Sequence, residues 1–151
     1  MTDFHIVVTG TKEVIAALQA LKDRAPESLE GGLFEFGSLV EGDAKVLTPV
    51  RTGNLRASGY TITPTLESLS EMSDVDPESR ALAVRSAEQI TAVVGFGGPA
   101  QQYALVQHER TDFHHAVGQA KYLETAVTGR AQDMPDVLAA RMRRDLARWV
   151  G

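Results

Sequence analysis

Phe4, Ile6 and Val8 alternate with His5 and Val7, the period-two spacing that places one side-chain set on one face of a short strand. Gly10 and Thr11 punctuate the chain, and Val14, Ile15, Leu18 and Leu21 then return at helical spacing, predicting a first helix from Thr11 to about Arg24. Pro26 suits the first turn of a second helix, where its missing N–H needs no partner. Leu29, Leu33, Phe36, Val40, Ala44 and Leu47 form one apolar stripe and carry that helix to Thr48. Gly31, Gly32, Gly37 and Gly42 interrupt it, each costing about 1 kcal/mol relative to alanine, so close packing against a neighbour is expected. A break near Gly31 and Gly32 is the alternative.

Beyond Pro49, Thr52, Gly53 and Asn54 supply a turn, and Tyr60, Ile62, Pro64 and Leu66 alternate with Thr61, Thr63, Thr65 and Glu67. This predicts a strand with one wet face, at an edge, interrupted or bulged at Pro64. Glu71, Asp74, Asp76 and Glu78 gather around Pro77 and predict an acidic, mobile surface loop over 70–79. Residues 80–87 fit strand or helix, whereas Ile90, Ala92, Val93, Val94 and Phe96 read as a buried strand ending at Gly97, Gly98 and Pro99. A helix over Gln119–Thr128 and a last one after Pro135 complete the pattern. In the last, Leu138, Met142, Leu146 and Trp149 share one face and Arg141, Arg144 and Arg148 another, which reads as a solvated or intersubunit ion-pair surface.

With 151 residues the chain is expected to fold as one domain, and with no cysteine it holds no disulfide, thiol nucleophile or Cys-ligated metal. No apolar run reaches a membrane span, and the first residues lack a secretory signal pattern, so a soluble, unexported protein is expected. The net charge of -5 argues against a general nucleic-acid binder. Basic and acidic side chains number 4 and 8 in residues 1–50 but 7 and 6 in residues 101–151, so the C-terminal third is the least acidic.

His108, Glu109, Asp112, His114 and His115 are the cluster with the chemistry of a metal site. The helical H-E-x-x-H motif needs two histidines one turn apart, and here Asp112 stands at the second position. The segment ends in Gly118 without an apolar stripe, so a hydrogen-bonded polar loop is the expectation, with a small metal-dependent hydrolase as the alternative. Gly95, Gly97 and Ala100 have the G-x-G-x-x-A spacing of a dinucleotide loop, but no helix opening beyond Gln101 and no second parallel strand are evident. No G-x-S-x-G tract is present for a serine hydrolase. No cofactor and no catalytic residue are expected.

Two separated tracts add a resemblance. The first is AKVLTPVRTGNLRAS, Ala44 to Ser58; the second, Val94 to Val127, contains YALVQHE, FHHAVG and QAKYLETAV in that order. Together, over about 50 of 151 residues, they resemble the minor tail-component family of long-tailed bacteriophages, whose members complete the tail or join head to tail in the virion neck. Thr52, Gly53, Leu55 and Arg56 match the family's first turn; Tyr103, His108, Glu109, Gly118, Lys121, Tyr122, Leu123 and Glu124 match its second signature.

The resemblance implies an α+β single domain with long helices on a small, mainly antiparallel sheet. It implies a homo-oligomeric ring, six- or twelve-fold, that contacts head-connector or stopper proteins on one side and tail-terminator or tail-tube proteins on the other. DNA would pass through the lumen without specific binding, with no catalysis and no membrane. A tail-terminator ring capping the tube is the alternative within the class. Gly53 and Gly118 are expected at tight turns, Tyr122 and Leu123 as core anchors, and Arg56, Glu109, Lys121 and Glu124 in loop or subunit contacts. The net charge suggests an acidic channel, and the Pro26–Thr48 helix and the final helix are the expected subunit surfaces.

Overall fold

The computed structural model describes residues 11–49, 53–86, 88–98, 101–112 and 116–150. The strand expected at Phe4–Val8, together with Thr52, His114 and His115, lies outside the described residues. The fold is α+β, as expected: long helices on a small antiparallel sheet.

One helix, α1 (Thr11–Leu47), replaces the two expected, with Pro26 inside it. The proline forfeits a single backbone bond, at a cost of about 3 kcal/mol. Packing just beyond it holds the helix together. Ser28 donates to Asp145 at 2.8 Å, and a Cβ on Gly32 would lie 3.2 Å from the Leu138 Cα. At Gly31 a Cβ would meet the Arg141 guanidinium at 2.5 Å. These glycines therefore do what the sequence suggested, letting the final helix, α5 (Met134–Val150), approach closely. Gly42 does not, having nothing within 4 Å.

Gly118 of the second tract turns the chain against the end of α1, and a 3-10 turn at Arg56–Ser58 leads into β1 (Gly59–Ile62). The long strand expected over residues 60–67 is a hairpin: Pro64 sits in its turn, and β2 (Glu67–Leu69) returns with Tyr60 opposite Leu69. On the other side β3 (Val93–Phe96) runs antiparallel, pairing Thr61 with Val94 and Ile62 with Val93. The strand order is β2-β1-β3.

Neither face of β1 is wet, which corrects the alternation reading. Thr61 and Thr63 point to α1, where Val94 and Phe96 also pack. Tyr60 and Ile62 point the other way, onto Val75. The acidic segment over 70–79 is thus anchored by a buried valine, and Ser73 donates to the Gly59 carbonyl at 2.6 Å. Asp76 caps α2 (Pro77–Leu82), accepting from the Ser79 N–H at 2.8 Å. Of the stretch that fitted strand or helix, residues 80–82 are helical and Arg85 makes an isolated bridge with Ile90.

A further helix, α3 (Gln101–Glu109), occupies sequence expected to be irregular, and α4 (Tyr122–Arg130) runs into α5 through a 3-10 turn. The main core joins Val40 and Ala44 of α1 to Leu55, Ala104 of α3, and Tyr122 and Ala126 of α4. No helix among the described residues is long and apolar enough to cross a membrane.

Candidate functional site

The two tracts that carry the family resemblance meet at the C-terminal end of α1. Gly118 has φ +86°, and a Cβ there would lie 2.6 Å from the Thr48 carbonyl and the Pro49 nitrogen. Only glycine permits both the turn and the contact. Next to it, the Gln119 N–H donates to the Leu47 carbonyl at 2.9 Å, satisfying one of the unpaired carbonyls that end a helix. Thr48 is fully buried and turns its hydroxyl back to the Ala44 carbonyl at 2.7 Å. From the first tract, Arg56 Nη2 reaches the Val46 carbonyl at 3.5 Å, while its Nε is buried without a hydrogen-bond partner among the described residues. Gly53, at φ +82°, makes the turn expected of it, and Leu55 enters the core.

Tyr122 is the centre of the joint. It is 2% exposed, its hydroxyl donates to the Ala104 carbonyl at 3.2 Å, and its ring meets Phe96 and His108 edge to face at 5.2 and 4.9 Å. Burial pushes its phenol pKa up to about 12. Leu123 packs beside it, so both serve as the anchors expected.

A polar knot closes over the tyrosine. His108 Nδ1 lies 2.7 Å from Glu109 Oε1, and the Glu124 N–H approaches His108 Nε2 at 3.5 Å, which fits the tautomer with the proton on Nδ1. Lys121 donates from Nζ to Glu109 at 2.6 Å and pairs with Glu124 at 3.4 Å. Its backbone adopts φ +55°, rare for a side chain of this size, and its N–H donates to the His108 carbonyl at 2.8 Å. The hydrogen bonds from Lys121 and His108 hold the Glu109 carboxyl below its usual pKa, and Glu109 raises that of Lys121. Of the four charged residues expected in loop or subunit contacts, Glu109, Lys121 and Glu124 thus fix a loop inside one chain.

The expected polar-loop use of the histidine cluster is met in part by a helix. His108 and Glu109 end α3, and Asp112 stands apart, clasped by Arg110 at 2.6 and 2.7 Å and held at a pKa of about 2 mainly by that hydrogen bond. Among the described residues no three His, Asp or Glu side chains are grouped to hold a metal ion. A helix does open at Gln101, contrary to the sequence reading, but the preceding β3 is antiparallel to its neighbour and Tyr60 lies across Gly95, so no parallel dinucleotide-binding unit forms. Tyr103 is partly exposed on α3.

The arginine face of α5 is not free. Arg141 and Arg144 both bind Glu35 of α1, at 3.1 and 2.6 Å, and Arg141 also binds Asp145 at 2.7 Å. This clamp joins α1 to α5 within the chain, and the half of α1 proposed from sequence as a subunit surface is spent largely on α5 and the sheet. Two residues without a sequence signal stand beside the joint: Arg130 of α4 binds Asp43 of α1 at 2.5 Å. Comparison with protein-family models, with curated proteins and with solved structures finds no match to the chain.

Proposed function

We propose that the chain is a structural subunit of a long-tailed phage neck, forming a homo-oligomeric ring that joins the head connector to the tail tube, with DNA passing through its lumen. The observation that carries the reading is the joint at the end of α1. Two tracts far apart in sequence, both resembling the tail-completion family, are folded onto one another through Gly118 and Gln119 and through the core that Tyr122 shares with Ala44 and Leu55. Apart from the Arg56 Nε, the polar side chains of that joint are spent on each other and on backbone, which suits a protein whose work is assembly. An exposed apolar segment supports the same reading: Val14, Ile15 and Leu18 are each more than half exposed on a helix whose other half is packed. A ring needs a heterologous contact whose rotation closes, and apolar surface left over by the monomer is the material for one.

Electron microscopy of the purified, untagged protein tests the reading. Closed rings with an open lumen are expected. Isolated monomers carrying one tightly bound zinc ion each would overturn it in favour of a hydrolase.

A further inference from the structure

The N-terminal part of α1 leaves the body of the molecule. Residues 12–20 are exposed without exception, and the body resumes near Arg24, whose guanidinium lies 5.6 Å from the Trp149 ring. A lone helix of this length is marginal in water unless its apolar side packs on something. That side is formed by Val14, Ile15 and Leu18, 59, 55 and 59% exposed, with Lys22 continuing the stripe one turn beyond Leu18 and Lys12 and Asp23 along the Ile15 edge.

At the other end of the same helix lies a groove of about 530 Å³ between α1 and α4. Its floor is Leu47 and Ala126, its wall carries Val46 at 71% exposure, and Gly129 leaves it open, with nothing within 4 Å of a Cβ built there. The rim is acidic, because Asp43 and Asp133 share the single charge of Arg130, at 2.5 and 3.5 Å. An apolar ridge that ends in Lys22 and an apolar groove rimmed by carboxylates complement each other in hydrophobicity and, at that lysine, in charge.

We propose that the Val14–Leu18 ridge of one chain docks in the Val46–Gly129 groove of a second copy. The two surfaces cannot meet within one molecule: Val14 and Val46 are 32 positions apart on one helix, a separation of about 48 Å. A donor and an acceptor at opposite ends of one rod make a head-to-tail contact, the kind that propagates and closes. The inference rests on the assembly reading above and names the contact that would produce it.

Because the chain has no cysteine, introduced thiols report without background. A Leu18→Cys chain is mixed with a Val46→Cys chain and oxidised, alongside each variant alone. The mixed disulfide is expected to dominate. Predominance of Leu18→Cys homodimers, or no disulfide in a mixture shown by scattering to be oligomeric, would overturn the docking while leaving the ring reading intact. A mixed disulfide confined to reciprocal pairs would support the docking and count against the ring. A second variant guards against misfolding: Gly129→Leu fills the groove from an open position and is expected to shift the association midpoint at least tenfold upward in concentration with unchanged circular dichroism. An unchanged midpoint would overturn the proposal.

Discussion

Tyr122 shares one core with Ala44 and Leu55 of the first tract, and its burial is measurable. Its phenol ionises near pH 10 when unfolded and at about 12 in the fold. The folded state therefore holds the proton more tightly, so the associated stability is complete below pH 10 and is lost as pH rises toward 12. Tyr122→Phe is expected to remove that alkaline loss in denaturant titrations, and to cost about 1 kcal/mol at neutral pH through the bond to Ala104. An alkaline dependence unchanged in the variant would place the titration elsewhere. Gly118 is the second residue on which the joint turns. Gly118→Ala adds both a disfavoured φ and a clash with the Thr48–Pro49 backbone, and thermal unfolding should show a loss of more than about 2 kcal/mol. Both residues were legible in the sequence as turn and anchor. The partners they meet were not, since Leu47 and Thr48 contribute a carbonyl and a backbone that no side-chain pattern encodes.

At the scale of elements, the apolar stripe of α1 was readable and the face beside it was not. Val40, Ala44 and Leu47 pack as their spacing predicts, but Glu30 and Glu41, at 1 and 5% exposure, face the sheet alongside them. Each is buried because threonines answer it: Thr61 donates to Glu41 at 2.6 Å, and Thr63 and Thr65 donate to Glu30 at 2.8 and 2.7 Å. Hydrophobic periodicity cannot see a polar inward face, and the same blindness made Thr61 and Thr63 look like a wet side of β1. Burial pushes the Glu30 carboxyl upward, but the hydrogen bonds from Thr65 and Thr63 and the Arg85 charge outweigh it and leave the pKa below 4.5. Stability from Glu30 is therefore present above the unfolded pKa and lost as pH falls through the folded one. Glu30→Ala is expected to cost about 3 kcal/mol near neutrality in urea unfolding, the low end for a broken buried pair because Arg85 keeps access to water. A cost below about 1 kcal/mol would remove the carboxylate from the account of how helix and sheet adhere.

The glycines of α1 separate by what they touch. Gly37 sits against β1 and β3, where a Cβ would lie 2.8 Å from Thr61 Cγ2 and 3.2 Å from Val94 Cγ2. Gly37→Leu should therefore destabilise the monomer by about 2 kcal/mol, a folding effect rather than the assembly effect its sequence context suggested. Gly42→Ala, in open space, should gain up to about 1 kcal/mol. Equal effects of the two substitutions in thermal unfolding would contradict this distinction. The continuity of α1 through Pro26 was illegible for a related reason: local rules end a helix there, and the contacts to α5 that override them are more than 100 residues away in sequence. The third helix was hidden because its apolar positions form no strong stripe; Leu105 and Val106 remain exposed, and among its described side chains Ala104 alone is buried.

For the whole molecule, the charges that looked available for partners are largely spoken for. Glu35, Asp145, Arg141 and Arg144 close on one another between α1 and α5, and Glu109 and Lys121 close over Tyr122. Among the outward apolar side chains, Val14, Ile15, Leu18 and Val46 sit towards the two ends of a helix about 55 Å long. These ends are the surfaces through which assembly is proposed. The most direct test of that claim is the molar mass of the untagged protein by light scattering over a concentration series. A discrete closed species, six or twelve times the 16.3 kDa chain, that persists on dilution is expected. A mass that stays at 16.3 kDa across the series would contradict it.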